Sequence, residues 1–114
     1  MITAAELTKR RCEPCEGGVP PLEREAAGQL MHALHADWKL AKDGKSIVRR
    51  FEFAGYHLTI AFVNAVAWVA ESEGHHPDLQ VRYGKVEVLY TTHSIKGLSE
   101  NDFICAAKID RLLD

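Results

Sequence analysis

The stretch of sequence that decides the fold is Glu71-Ser72-Glu73-Gly74-His75-His76-Pro77-Asp78. Gly74 is of the residue type that most often follows the last turn of a helix, and Pro77 cannot continue one. The stretch therefore predicts a corner between a helix and a strand. Two adjacent histidines at this corner place two rings that titrate near neutral pH side by side, which makes the corner the first candidate for a functional site.

The segment before the corner predicts a long buried helix. Its apolar residues recur at helical offsets from Tyr56 to Glu73, a length of about eighteen residues. The β-branched residues between Leu58 and Val63 would also suit a buried strand, but a strand of this length is rare. Length therefore favours the helix, with Gly74 just beyond its end.

The segment after the corner predicts a β-hairpin. Apolar and polar residues alternate on both sides of a tight turn at Gly84, with Leu79, Val81 and Tyr83 before it and Val86, Val88 and Tyr90 after it. If the hairpin turns at Gly84, His76 and His93 should be neighbours across the two strands. Three histidines, His75, His76 and His93, are then expected to converge.

The rest of the chain supplies the other predicted elements. A helix is expected from Leu22 to about Ala36, a hairpin around Asp43-Gly44, and a C-terminal helix capped by Ser99 and Asp102. The fold class is therefore α+β, a four-stranded antiparallel sheet with three helices packed on one face, in the order α-β-β-α-β-β-α. Residues 1–21 are expected to be an irregular arm and residues 22–114 a single domain.

Composition limits the classes of function. The chain has 114 residues, of which 46% are hydrophobic and 26% charged, and its net charge is −2. Such a charge disfavours binding to nucleic acid, and no apolar stretch is long enough to span a membrane. We expect a cytoplasmic protein. Its uncovered sheet face and strand edges are expected to support self-association as a homodimer or tetramer.

The cysteines allow three interpretations. Cys12 and Cys15 form a Cys-x-x-Cys pair, but a structural zinc site needs about four ligands and no second pair follows. A thioredoxin-like redox pair would follow a strand, and none is predicted here. A local turn with two free thiols is favoured.

The three histidines also allow three interpretations. They could bind zinc, act as a metal-free general acid and base, or be surface residues beside a turn. The convergence of a third histidine on the corner favours a site, whereas spacing alone does not decide between metal and no metal. Carboxylates that could tune the pKa values of the rings are those of Glu71, Glu73, Asp78 and Asp102.

These residues together resemble the signature of the pterin-4a-carbinolamine dehydratase family, also known as the dimerisation cofactor family. The resemblance spans about residues 22 to 113 and rests on segments that agree in order and spacing: Trp38, Arg49-x-Phe51-x-Phe53, Ala70-Glu71, His75-His76-Pro77-Asp78, Tyr83, Val86-x-Val88, Thr92-His93 and Gly97-Leu98-Ser99-x-x-Asp102.

The resemblance implies an enzyme that dehydrates 4a-hydroxytetrahydropterin to quinonoid dihydropterin, in support of aromatic amino acid hydroxylases. It implies no metal and no cofactor, because the pterin is the substrate. The family's catalytic histidines correspond to His75, His76 and His93. The residues that match its substrate pocket are Glu71, Asp78, Thr91, Thr92 and Asp102.

The same family implies an alternative function. Related sequences resemble assembly factors for ribulose bisphosphate carboxylase, and the Cys-x-Pro-Cys-x-Gly-Gly arm is similar to that of bacterial and plastid members. This chain also departs from the animal pattern at Gly74 and Leu79, where animal members have an acidic residue and a tryptophan. A protein-binding role in carboxylase assembly is therefore the second expectation.

Overall fold

A computed structural model describes residues 1–14 and 17–114 of the chain. The elements in order are α1 (Ala4–Lys9), α2 (Arg24–Met31), β1 (Lys39–Leu40), β2 (Ile47–Glu52), α3 (Tyr56–Glu73), β3 (Asp78–Val81), β4 (Lys85–Tyr90), a 3₁₀ turn (His93–Ile95) and α4 (Glu100–Arg111). Cys15 lies outside the described residues, so the predicted local turn with two free thiols at Cys12 and Cys15 stays a prediction.

The four strands form one antiparallel sheet in the order β1-β2-β4-β3. Alternate side chains of the two central strands are buried, namely Ile47, Arg49 and Phe51 on β2 and Val86, Val88 and Tyr90 on β4. They pack with residues of α3 and α4 in one core. The intervening side chains, such as Arg50, which pairs with Glu87 at 2.7 Å, lie on the uncovered face. The predicted α+β fold, with helices on one face, is confirmed.

Helix α3 ends where the sequence predicts. Gly74 has φ +64°, a left-handed conformation that suits glycine, and the His75 N–H closes the end by donating to the Ala70 carbonyl at 3.1 Å. A buried stripe that includes Phe62 and Val66 fixes the helix on the sheet. Within the described residues, no helix combines the length and apolar character needed to cross a membrane.

The N-terminal arm differs from the prediction because residues 4–9 form a helix, α1. A capping box between Thr3 and Glu6 starts this helix, and the side chain of Leu7 is completely buried against the core. The Thr3-x-x-Glu6 pattern is the signal of this helix in the sequence, whereas the prolines and glycines after Cys12 favour an irregular arm. The described residues therefore form four α-helices instead of three.

Helix α2 is shorter than predicted and ends at Met31 rather than near Ala36. The following residues turn so that Trp38 is buried, and Asp110 of α4 accepts hydrogen bonds from the His35 N–H at 2.9 Å and from Trp38 Nε1 at 2.7 Å. These contacts with α4 compete with continuation of the helix.

The packing of α1 gives a prediction about stability. Leu7→Ala should lower the free energy of unfolding by about 2–4 kcal/mol, because it removes a fully buried side chain and leaves a cavity. Leu113→Ala is the matched control, since Leu113 is half exposed, and it should change stability by less than about 0.5 kcal/mol. Urea denaturation measures both values. Equal effects of the two variants would contradict the packing of the arm on the domain.

Candidate active site

A cavity of about 450 Å³ lies where the C-terminal end of α3, the segment after β4 and the N-terminal arm meet. Five of the predicted site residues line it, namely His75, His76, Thr91, Thr92 and His93. The structure therefore brings the three histidines to one cavity, as the sequence predicts. A larger cavity, about 640 Å³ between α1 and α4, contains none of the predicted site residues.

The three histidines come together at the cavity, but not through the hairpin register that the sequence suggested. The β3–β4 ladder ends at the pair Asp78 and Leu89, so His76 and His93 are not partners across it. His93 instead begins the 3₁₀ turn after β4, and this turn returns the chain to the corner at the end of α3. The expectation that the two histidines are neighbours across the ladder is wrong, although all three histidines line one cavity.

His75 is the most firmly held of the three histidines. Its side chain is 13% exposed, and its Nε2 lies 2.5 Å from Oδ1 of Asp102. The ring stacks on Tyr90, with centroids 5.3 Å apart, and the Tyr90 hydroxyl donates to the His75 carbonyl at 3.3 Å. The ring is therefore fixed on both its edge and its face.

Asp102 is a completely buried carboxylate that connects three segments. In addition to His75, its Oδ2 accepts hydrogen bonds from the Thr92 hydroxyl at 2.8 Å and from the Ser99 N–H at 3.0 Å. The Thr92 and Ser99 hydroxyls are themselves 2.8 Å apart. Asp102 thus completes the capping box of α4 and holds a cavity histidine at the same time.

The pKa of His75 is raised above its ordinary value by this arrangement. Burial of the ring lowers the pKa, because it disfavours the charged form, but the hydrogen bond and the negative charge of Asp102 outweigh this effect. A larger fraction of His75 is therefore protonated near neutral pH than for a free histidine. Such a ring is suited to donate a proton in the cavity.

His76 and His93 are much more accessible than His75. His76 Nε2 lies 3.4 Å from Glu71, and both side chains are largely in solvent, so this pair contributes little to stability. Because the imidazole rings of His76 and His93 are accessible, they are placed to contact a ligand that enters the cavity. His75 is placed so that Asp102 raises its pKa.

The structure places the other predicted residues in different positions. Thr91 lies at the cavity and donates to the Lys45 carbonyl at 2.6 Å. Glu71 and Asp78 are exposed and are not among the cavity-lining residues. Glu73 lines the cavity, but its side chain is 3% exposed and is held by Lys108 at 2.6 Å.

Glu73 also anchors the arm. Its Oε1 accepts the Cys12 N–H at 2.8 Å. Burial raises the pKa of Glu73, but this hydrogen bond and the ammonium group of Lys108 more than offset the burial, so its pKa lies below the ordinary value. Glu73 is therefore a charged structural link between α3, α4 and the arm.

One wall of the cavity was not predicted from the sequence. Cys12, Glu13 and Pro14 of the arm line it, together with Asn101 at the start of α4. Asn101 exchanges two hydrogen bonds with the backbone of Glu13, at 3.1 and 2.6 Å. The capping box around Thr3 and the apolar Leu7 were the available signals that the arm packs on the domain, but the sequence did not show where residues 12–14 would lie.

Across residues 1–14 and 17–114, no group of three histidine, cysteine or carboxylate side chains is arranged to hold a metal ion. His75 in particular directs its Nε2 to Asp102. The metal-free interpretation of the histidine cluster stays a prediction.

The comparisons with known proteins agree on one family. A family model described as pterin 4 alpha carbinolamine dehydratase matches residues 20–112. A Nitrosomonas eutropha protein named "Putative pterin-4-alpha-carbinolamine dehydratase" is 56% identical over 113 residues, which cover 99% of this chain and 98% of the relative. A Nitrosomonas europaea protein of the same name is 57% identical over 112 residues, with coverage of 98% and 97%.

Two solved structures share the fold. A transcriptional coactivator/pterin dehydratase from Brucella melitensis aligns with a TM-score of 0.77 and 28% identity, over 82% of this chain and 99% of that one. A pterin dehydratase-like protein, identified as a RuBisCO assembly factor in the alpha-carboxysome, aligns with a TM-score of 0.59 and 26% identity, over 68% of this chain and 90% of that one.

Fold and cavity together define a small α+β protein with a histidine-lined pocket beside its sheet. The chain belongs to the pterin-4-alpha-carbinolamine dehydratase family. The resemblance noted from His75-His76-Pro77-Asp78 and the later segments is thereby confirmed, and the family is one of dehydratase enzymes.

The contact between His75 and Asp102 gives a prediction about titration. Asp102→Asn removes the negative charge and keeps the side-chain shape. Burial of the ring should then be the dominant influence, and the pKa of His75 should fall. NMR titration of the ring protons measures this change, and the exposed ring of His76 is the internal control. An unchanged pKa of His75 would contradict the proximity of the two groups.

The same contact sets the sign of a pH effect on stability. Because the folded-state pKa of His75 lies above the ordinary 6.5, its contribution is fully present below that pH and is lost as pH rises through the folded pKa. Urea denaturation of wild type should show this loss, and Asp102→Asn should not.

Proposed function

We propose that this protein dehydrates 4a-hydroxytetrahydropterin to quinonoid dihydropterin by metal-free acid–base catalysis with histidines. The observation that carries the proposal is the His75–Asp102 pair at the wall of a cavity that His76 and His93 also line. Family membership supports the substrate class. The pterin is the substrate, so the reaction needs no further cofactor.

The reaction needs one acid and one base. The acid protonates the departing 4a-hydroxyl, which leaves as water, and the base accepts the N5 proton as the C4a–N5 double bond forms. We assign the acid to His75, because its raised pKa keeps more of the ring protonated. Its Nε2 is held by Asp102, so the proton that is transferred is the one on Nδ1. We assign the base to His93 and substrate binding to His76, both of which are accessible at the cavity.

The cavity walls suit a polar bicyclic ligand. Thr91, Thr92 and residues 12–14 line the cavity. The two hydroxyls already donate to the Lys45 carbonyl and to Asp102, so their oxygens remain as acceptors for a ligand. A volume of about 450 Å³ lies within the usual range of small-molecule sites. We assign Thr91 and Thr92 to substrate binding, with Asp102 as the group that positions His75. We assign the exposed Glu71 and Asp78 to contacts with the substrate at the rim of the cavity.

A second candidate function is protein binding in carboxylase assembly. It is favoured by the likeness to the RuBisCO assembly factor of the alpha-carboxysome, which extends over 68% of this chain. In this alternative the fold serves as a docking module, and the activity of the cavity is weak or absent.

One experiment separates the two functions. Wild type should accelerate dehydration of 4a-hydroxytetrahydropterin, followed by absorbance, and His75→Ala or His93→Ala should each reduce the rate about 10²–10⁴-fold, because each removes an acid or base. His57→Ala is the matched control, since His57 is exposed on α3 and does not line the cavity. Its rate should equal that of wild type.

The second arm of the experiment measures binding of ribulose bisphosphate carboxylase to the same samples by co-elution. A wild-type rate no faster than buffer would refute the dehydratase proposal, and co-elution of carboxylase would then favour the assembly function. Stoichiometric zinc found by elemental analysis would refute the metal-free mechanism.

We also propose that the chain self-associates, as a homodimer or tetramer in the cytoplasm. Large apolar side chains are exposed on α3, on the edge strand β3 and in the hairpin turn, namely Tyr56, Leu58, Trp68, Val81 and Tyr83. Trp68 is 73% exposed, and covering such a ring in a second copy would be favourable.

Light scattering tests this association. Wild type should have a mass of two or four times 12.7 kDa, and Trp68→Glu should shift the mass towards the monomer, because it places a charge in the apolar contact. Val19→Glu is the control, since Val19 is also exposed but lies in the arm. A monomeric wild type would contradict the proposal.

A further inference from the structure

A pair of thiols lies beside the histidine cavity and has no part in the proposed catalysis. The Sγ atoms of Cys12 and Cys105 are 3.6 Å apart, and both residues are reduced. Cys12 belongs to the arm, is partly buried and lines the cavity, whereas Cys105 belongs to α4 and is completely buried. The two residues are separated by 93 positions in sequence, so only the packing of the arm brings them together.

Backbone contacts hold the two thiols at this distance. The Cys12 N–H donates to Glu73, and the neighbouring Glu13 exchanges two hydrogen bonds with Asn101. Asn101 lies one turn before Cys105 on the same face of α4. A disulfide requires the sulfurs to approach to about 2.05 Å, and Cys12 lies in a segment without regular secondary structure, which can move by the remaining distance.

The surroundings of Cys105 favour the thiolate. The hydrogen bond from Cys12 lowers the pKa of Cys105, and although burial raises it, the Tyr90 hydroxyl and the charge of His75 lower it further. The S–H···S hydrogen bond can be donated by either sulfur, so the shared proton can reside on either residue. The same hydrogen bond, together with burial, raises the pKa of Cys12, so the shared proton resides on Cys12 at rest. The more accessible Cys12 reacts as the thiolate once that proton has moved across the 3.6 Å contact to Cys105.

We propose that Cys12 and Cys105 are a modification site, at which a peroxide converts the two thiols into a disulfide that fastens the arm to α4 at the wall of the cavity. The shared proton moves to Cys105, and the Cys12 thiolate attacks one peroxide oxygen, which gives a sulfenic acid and hydroxide. The Cys105 thiol then attacks the sulfenic sulfur, and its proton leaves with the displaced hydroxyl as one water. The hydroxide from the peroxide takes up the proton that Cys105 had released to solvent and becomes the second water. Two thiols are oxidised by two electrons, and one hydrogen peroxide is reduced to two waters.

The cross-link has a consequence for stability that does not depend on the reaction catalysed in the cavity. It closes a loop of about 93 residues and so restricts the unfolded chain. The oxidised protein should unfold at a temperature about 10 °C higher than the reduced protein. A disulfide between Cys12 and Cys15 would close a loop too short to raise the unfolding temperature by a similar amount.

The test uses the full-length protein treated with graded hydrogen peroxide. Intact mass should fall by about 2 Da, and dithiothreitol should restore it, since a disulfide is reversible. Tryptic digestion without reduction should yield a linked pair of peptides, residues 12–24 and 97–108, because cleavage sites flank both cysteines. Thermal unfolding is followed on the same samples.

Variants assign the bond. Cys15→Ser should behave as wild type in mass, linked peptides and unfolding temperature, because it keeps both partners. Cys12→Ser should form no linked pair and show no rise in unfolding temperature, and since Cys12 is only partly buried this variant is expected to fold. Cys105→Ser should give the same two results where it folds.

Three results would overturn the inference. One is oxidation of wild type to a Cys12–Cys15 bond within peptide 12–24 while Cys105 stays alkylatable after unfolding. Another is loss of the disulfide in Cys15→Ser. The third is persistence of two free thiols at positions 12 and 105 at peroxide concentrations that oxidise a free cysteine peptide.

Discussion

The buried carboxylate of Asp102 is the interaction on which the site depends. A charge with no solvent exposure is costly unless hydrogen bonds and an opposite charge compensate it. Here Ser99, Thr92 and His75 provide that compensation, and they come from the start of α4, the segment after β4 and the corner after α3. One side chain therefore fixes the relative positions of three segments and sets the titration of a cavity histidine.

Helix α4 also makes polar contacts with the other elements of the domain. Its Asp110 pairs with Arg49 of β2 at 2.6 Å and accepts hydrogen bonds from the turn after α2. Its Lys108 pairs with Glu73 at the end of α3. Most of α4 is buried, and these polar side chains join it to β2, to the turn after α2 and to the end of α3. The cavity lies at the N-terminal end of α4, beside Asn101 and Asp102.

The two departures from the animal pattern have structural explanations. Gly74 has a left-handed backbone conformation that ends α3, so glycine satisfies a conformational requirement there. Leu79 packs partly buried against the core and does not line the cavity. Neither position removes a histidine or Asp102 from the site. The arm also contributes to the site, because Cys12 and its neighbours form a wall of the cavity.

Local signals in the sequence determined most of the elements, and in particular the end of α3 and the start of α4. Gly44 and Gly74 adopt the positive φ angles that their turns require, and the capping box of Ser99 and Asp102 begins the last helix where expected. These features depend on residues a few positions apart, so periodicity and capping rules suffice. The three histidines could be associated because two flank the corner and the third follows the hairpin.

Only the tertiary structure decided which histidine has its pKa raised by a carboxylate and which segment forms the remaining wall of the cavity. His75 and Asp102 are 27 residues apart, and Cys12 and Cys105 are 93 apart, so no local rule relates them. The early end of α2 and the packing of α1 likewise follow from contacts with α4. Such contacts depend on how the helices pack on the sheet, because packing competes with and overrides local preference.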